Sequence, residues 1–235
     1  MKKGDLKKQE ILRTAEALFC KNGYEKTSIQ DILDILHTSK GSFYHHFASK
    51  EILLEEICRL RTDLLYDQVS SGLQNNASPV ENLNSILSGM IPLTGEKLDF
   101  LMMILPVFDL PEGRQIRFSY AESIADSFRE MVIREIRKGN ETGDLFCDDE
   151  KYAADISFLI VNELWYQVCL QILRDEKGDQ KIEYNDLLNM VTFYRISLER
   201  VLSAPYGTIR LLDLDDLKNL AEQIQYHRSM QKIAE

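Results

Sequence analysis

The sequence predicts an all-α protein, and three observations carry that reading. Glycine and proline are scarce, 11 and 5 in 235 residues, so long stretches run without a break. Within those stretches apolar residues recur at three- and four-residue intervals rather than alternating. There is no hairpin signal and no repeat of fixed period.

Each element has its own start and stop. A first helix runs from about Asp5 to Asn22, with Ile11, Ala15, Leu18 and Phe19 on one face and Gly23 as its stop. Thr27 caps a short second helix, with Gln30 as the third residue of a capping box and Ile29, Ile32, Leu33 and Leu36 at helical spacing. Ser39 caps a short third helix carrying Phe43, Tyr44 and Phe47. Ser49 caps a longer fourth, from Lys50 toward Ser70, whose apolar face is Leu53, Leu54, Ile57, Leu60 and Leu64. Ser78-Pro79-Val80-Glu81 is a strong start, with cap, first-position proline and acidic third residue, and that helix ends before Pro92. Further helices run from about Glu96 to Pro106, from Asp109-Leu110-Pro111-Glu112 to about Lys138, and from Asp148 to about Arg174. The last two span about Glu183–Leu202 and start again at Asp213, with Leu217, Leu220, Ile224 and His227 on one side.

Composition excludes several classes of protein. With 44% hydrophobic and 28% charged residues the chain is globular rather than disordered. No apolar run approaches the ~20 residues of a membrane span, and no signal-peptide core follows Met1, so a cytoplasmic protein without a membrane partner is expected. Cys20, Cys58, Cys147 and Cys169 lie far apart with no ligand-spaced histidine, so neither a metal nor another cofactor is expected. There is no nucleophile–base arrangement and no P-loop, which argues against an enzyme.

Two short helices joined by a tight turn, after a longer helix, match the helix-turn-helix plan, whose second helix enters the DNA major groove. Charge supports this. The formal charge is -10, yet residues 1–50 hold nine Lys/Arg against six Asp/Glu, and the rest of the chain holds 19 against 32. A +3 head suits phosphates, while a -13 body is repelled by the duplex. Candidate cations are Lys2, Lys3, Lys7, Lys8, Lys26, Lys40 and Lys50; the first four fit either a phosphate-contacting arm or a solvated chain end. His45-His46 has no third ligand in view, and adjacent helical side chains diverge by about 100°.

The blocks Gly23-Tyr24-Glu25-Lys26-Thr27-Ser28-Ile29, Ser39-Lys40-Gly41-Ser42-Phe43-Tyr44-His45-His46-Phe47 and Ser49-Lys50-Glu51 resemble, in that order, the TetR family of bacterial transcriptional repressors. The match covers about residues 6–58. It implies that Tyr44 and His45 face DNA, with the Tyr44 hydroxyl on a phosphate. Beside it, the residues have their own chemistry. Thr27 and Ser28 sit at a helix start that can hold a phosphate. Ser39, Lys40 and Ser42 open the recognition helix, Gly41 permits close approach, and Lys50 is a further phosphate candidate. Phe43 and Phe47 pack inward. The turn Leu36-His37-Thr38 departs from the small-residue-then-glycine pattern of the family, so the exact base register stays open.

The resemblance further implies a larger helical domain for ligand binding and dimerisation, its last two long helices forming a four-helix bundle with a second copy. The expected organisation is residues 1–50 for DNA, 51–205 for effector binding and dimerisation, and 206–235 as an extension with an amphipathic helix packing in cis. Ile156, Leu159, Ile160, Leu164, Val168, Leu187, Leu188, Val191, Tyr194, Ile196, Leu198 and Val201 offer more apolar surface than one buried face needs. Phe100, Met102, Met103, Leu105, Val107, Phe108, Phe118 and Tyr120, with Trp165, Tyr166 and Cys169, fit either the wall of a small-molecule pocket or ordinary core. The expected partners are palindromic operator DNA, a second copy and an effector; the competing expectation is a protein of the same fold that senses nothing.

Overall fold

The computed structural model describes residues 3–74, 76–93, 96–176, 178 and 181–234. Lys2 lies outside them, as do the side chains of Lys3, Phe108 and His227. The described residues form helices and their connections, with no strand among them. In chain order the helices are α1 (Lys3–Asn22), α2 (Ile29–Leu36), α3 (Lys40–Tyr44), α4 (Lys50–Gly72), α5 (Pro79–Met90) and α6 (Glu96–Ile104). A 3-10 segment (Leu105–Asp109) follows, then α7 (Pro111–Thr142), α8 (Glu150–Glu176), α9 (Tyr184–Val201) and α10 (Leu214–Ala234). The expected all-α class and the expected breaks at Pro79, Pro92, Pro106, Pro111 and Pro205 agree with these bounds.

The chain forms two compact units. One comprises Met1–Leu64 and Glu96–Ser123, the other Leu65–Gly95 and Ile124–Glu235. The division therefore does not follow an expected boundary at residue 50: α6 and the start of α7 join the N-terminal helices. Sequence periodicity carries no signal for such a grouping, because it records which face of a helix is buried and not which neighbour buries it.

In the first unit α1 buries Ile11, Leu12, Ala15, Leu18 and Phe19. Gly23 ends it at a φ of 86°, a left-handed conformation that costs a glycine nothing. The cap of α2 differs from expectation by one residue. Ser28, not Thr27, accepts the Asp31 N–H at 3.2 Å, and the Asp31 carboxylate accepts the Ser28 N–H at 2.7 Å, closing the box. Those bonds favour ionised Asp31 and hold its pKa below the usual carboxylate value. The helix stops at His37, which is left-handed at φ 46°; the His37 and Thr38 N–H groups reach back to the Asp34 and Leu33 carbonyls. Histidine thus takes the place where the family pattern has glycine.

α4 buries Leu53, Leu54, Ile57, Cys58, Thr62 and Leu65. Its apolar face ends on Leu65, while Leu64, expected inside, is 54% exposed. Arg61 of α4 pairs with Glu16 of α1 and lies 5.3 Å from the centre of the Phe100 ring on α6.

In the second unit the expected Ser78–Glu81 capping box opens α5. A Cβ on Gly89 would stand 2.4 Å from the Val69 side chain, so only glycine lets α5 lie this close to the end of α4. Buried Glu135 is answered by Arg134, Lys138 and Asn82, and Arg129 of α7 pairs with Asp155 of α8. α8 and α9 pack as an antiparallel hairpin, closed where the Ile182 N–H donates to Asp175 at 2.6 Å. Contrary to the expectation that no stretch is apolar enough, Glu150–Asp175 has the length and hydropathy of a membrane span. Half of that stretch is buried inside the fold, as befits the central helix of a helical domain.

The segment after α9 packs against this unit in cis. The Glu199 carboxylate accepts the Gly207 N–H at 2.8 Å and the Arg195 guanidinium at 2.6 Å. Asn84 accepts the Arg210 N–H and donates to the Thr208 carbonyl, each at 2.8 Å. Its own Ile209, Leu211, Leu217, Leu220 and Ile224 are buried.

Candidate nucleic-acid interface

The helix-turn-helix is held from below by apolar side chains. Phe43 and Phe47 are 0% and 1% exposed, with ring centres 5.7 Å apart. At five residues α3 is too short to persist alone, so its conformation rests on this anchorage and on Ser39, whose hydroxyl accepts the Ser42 N–H at 3.2 Å. His45 and His46 continue it as a turn rather than as helix.

Anchoring Phe43 turns the next residue outward. Tyr44 is 55% exposed, its ring edge-on to Phe43. Lys26, Ser28, Ser39, Lys40, Gly41 and His45 are exposed as well, and Ser42 is half-buried. Among the described residues Lys26 and Lys40 form no ion pair or hydrogen bond, so their charges face water undiminished. At Gly41 an added Cβ would meet only the Ser39 hydroxyl, at 3.8 Å, so the fold itself does not demand glycine there.

Two expected DNA contacts are turned inward instead. Thr27 is 0% exposed; its hydroxyl donates to the Gly23 carbonyl at 2.9 Å and its N–H to the Tyr24 carbonyl at 3.2 Å. Both donors are used, and the β-branched methyl fills the core below the loop. Lys50 donates to the Tyr24 carbonyl at 2.8 Å and the Thr27 carbonyl at 3.0 Å, and stands 4.0 Å from the centre of the Tyr24 ring. Burial lowers the pKa of its ammonium from the ordinary lysine value, against the opposing pull of Glu25 and Glu51. Lys50 thus pins the start of α4 to the loop before α2.

The N-terminal lysines are also engaged. Lys8 pairs with Glu56 at 2.8 Å and lies 5.7 Å from the Phe47 ring centre, and Lys7 pairs with Glu10 at 3.1 Å. Half-buried His46 is held below the usual imidazole pKa by desolvation first, then by His45 and Lys8. A helix reading finds Lys7 and Glu10, three apart; it has no means of finding Lys8 and Glu56, which only folding brings together.

The residues named for an effector site divide between the two units. Phe100, Met103 and Tyr120 are buried and Met102 half-buried in the first; Phe118, in the same unit, is 56% exposed. Trp165 and Cys169 are buried and Tyr166 half-buried in the second. Glu55, Glu56 and Arg59, which no motif or spacing marks in the sequence, line a cleft in the first unit with Tyr120.

Residues 11–57 match the family model described as bacterial regulatory proteins, tetR family. The HTH-type transcriptional repressor KstR2 of Mycobacterium tuberculosis is 30% identical over 179 residues, covering 73% of this chain and 86% of the relative. The fold is also that of a transcriptional regulator from Saccharomonospora viridis in complex with choline, at 24% identity, TM-score 0.54, and coverage of 84% of this chain and 96% of the other. RolR in complex with its ligand resorcinol is 13% identical, with TM-score 0.62 and coverage of 94% of this chain and 95% of the other. The exposed, cation-bearing recognition segment thus sits where the family model matches and where the KstR2 likeness extends well beyond it: the chain belongs to the TetR family of bacterial helix-turn-helix transcriptional regulators.

Proposed function

We propose that this protein is a cytoplasmic repressor that binds a palindromic operator as a homodimer and is released by a small-molecule effector; it is not an enzyme. The observation that carries the reading is the recognition segment: buried Phe43 and Phe47 fix a short helix whose other side offers Lys40, Gly41, Tyr44 and His45 to the outside. In this reading Ser39 and Ser42 at its start meet base edges, and Tyr44, Lys26 and Ser28 meet phosphates. Gly41, which the fold does not require, suits close approach to a duplex.

Dimerisation is supported by what α8 and α9 leave uncovered. Tyr152, Ile156 and Leu159 are 71%, 42% and 68% exposed at helical spacing on α8, and Phe193 on α9 is 68% exposed. An apolar stripe of this kind is covered by a second copy in a two-fold pair, which also supplies the second recognition helix. Release follows if an effector favours a dimer shape that spaces the two recognition helices wrongly. The choline and resorcinol complexes of proteins with this fold are in keeping with an effector here.

The salt dependence of operator binding tests the interface, because each phosphate neutralised contributes about 0.9 to the slope of log affinity against log salt. Lys40→Ala is expected to lower the slope by about 1. Lys50→Met is expected to leave the slope unchanged and to destabilise the first unit by about 1–3 kcal/mol, the worth of hydrogen bonds from a charged donor. Equal loss of slope in both variants, or none in either, contradicts this assignment of roles.

A further inference from the structure

We infer that the cleft between α4 and α7 in the first unit is a binding site for a small organic cation, an amine or a quaternary ammonium. Ile52, Glu55, Glu56, Cys58 and Arg59 line one side and Ser119, Tyr120 and Ser123 the other, around a volume of about 210 Å³. That is below the ~300 Å³ at which pockets for drug-sized ligands begin, so it suits a ligand of a few heavy atoms.

Charge decides the class. Glu56 is answered by Lys8 at 2.8 Å and by Arg59 at 3.1 Å, and Arg59 is shared with Asp63 at 3.3 Å. Half-buried Glu55 has no hydrogen bond or ion pair among the described residues, so it leaves one uncompensated negative charge on the wall. The same charge is felt inside the protein, where burial first and Glu55 second raise the Cys58 thiol to about 12. That thiol is therefore a neutral, polarisable part of the wall, and Tyr120, likewise raised by burial, stays a phenol. Ile52 supplies apolar contact, and the Ser123 hydroxyl, with no hydrogen bond among the described residues, is available to a polar end of the ligand. An anion meets Glu55 and Glu56 and is repelled; a neutral ligand leaves Glu55 unanswered.

The cleft has a direct connection to the DNA-binding helices. Its Glu56 wall holds Lys8 of α1, which in turn lies over the Phe47 ring that anchors the recognition segment. A cation seated between Glu55 and Glu56 competes with Lys8 for the Glu56 carboxylate. This consequence for DNA rests on the DNA-binding reading above; binding of the cation does not.

Calorimetric titration of the full chain with n-butylammonium and tetramethylammonium, beside butanol and butyrate, tests the site. Saturable one-to-one binding of the cations, with none of butanol or butyrate, is expected. Glu55→Gln is expected to weaken it about 10- to 100-fold, Glu55→Asp to restore most of it, and Glu222→Gln on α10 to leave it unchanged, with circular dichroism confirming that each variant is folded. No cation binding, equal binding of butyrate or butanol, or full affinity in folded Glu55→Gln overturns the site. In a parallel titration a saturating cation is expected to weaken the operator complex; an unchanged complex overturns the link through Glu56 and Lys8, while the calorimetry judges the site independently.

Discussion

Phe43→Ala is expected to abolish DNA binding by dissolving the recognition segment rather than by removing a contact. Phe43 is 0% exposed, and its ring meets Phe47 at 5.7 Å and Tyr44 at 5.4 Å between centres. Truncating a buried phenylalanine costs about 3–5 kcal/mol, the lost transfer energy plus the cavity left behind. A domain stable by about 5–15 kcal/mol survives that loss only in part. A five-residue helix has little stability of its own to draw on, so α3 is where the loss concentrates. Thermal unfolding should show a lowered first transition and operator titration no specific complex. Conservative Phe43→Leu, which keeps most of the volume, should retain both. Wild-type melting in Phe43→Ala contradicts the anchoring role.

The second large effect lies far along the chain from the residues proposed to meet DNA. Leu159→Asp combined with Phe193→Asp is expected to give a monomer and to weaken operator binding by about 10²–10⁴-fold, the factor lost when two linked sites become one. Both residues are 68% exposed, so the substitutions cost the isolated chain little while placing charges on the face proposed to meet a second copy. Sedimentation should show one chain where the wild type shows two. A double variant that stays dimeric places the interface elsewhere; a monomer with full operator affinity contradicts the need for two recognition helices.

How far the sequence carried these conclusions depended on the range of the interaction. Helix starts set by neighbours were legible: the Ser78–Glu81 box and the Pro79 start are three residues deep and appear as expected. So was the inward turn of Phe43 and Phe47, and with it the outward turn of Tyr44, which the family resemblance implied. Where two adjacent residues compete for one role, spacing does not choose. Thr27 and Ser28 both offer a hydroxyl at the start of α2, and the choice fell to burial, since the threonine methyl enters the core while serine remains exposed. Leu64 and Leu65 pose the same problem at the end of a long face.

What was hidden is what only the folded chain brings together. Lys50 reads as a surface cation, but the carbonyls of Tyr24 and Thr27, 26 and 23 residues earlier, claim its ammonium. Lys8 finds Glu56 across 48 residues. The cleft facing Glu55 is likewise made by helices from opposite ends of the first unit. A sum of charges finds the basic head, and the fold then decides which of its lysines are spent internally. Lys7, Lys8 and Lys50 are; Lys26 and Lys40 are not.

That division rests DNA binding on the recognition segment, and selection of bound duplexes from a randomised DNA library puts this to the test. Enrichment of an inverted repeat is expected, its half-sites about one helical turn, ~34–36 Å, or a multiple of it apart. Enrichment should vanish for the monomeric Leu159→Asp, Phe193→Asp variant. A wild-type protein that enriches no sequence, or enriches a single asymmetric site, contradicts it.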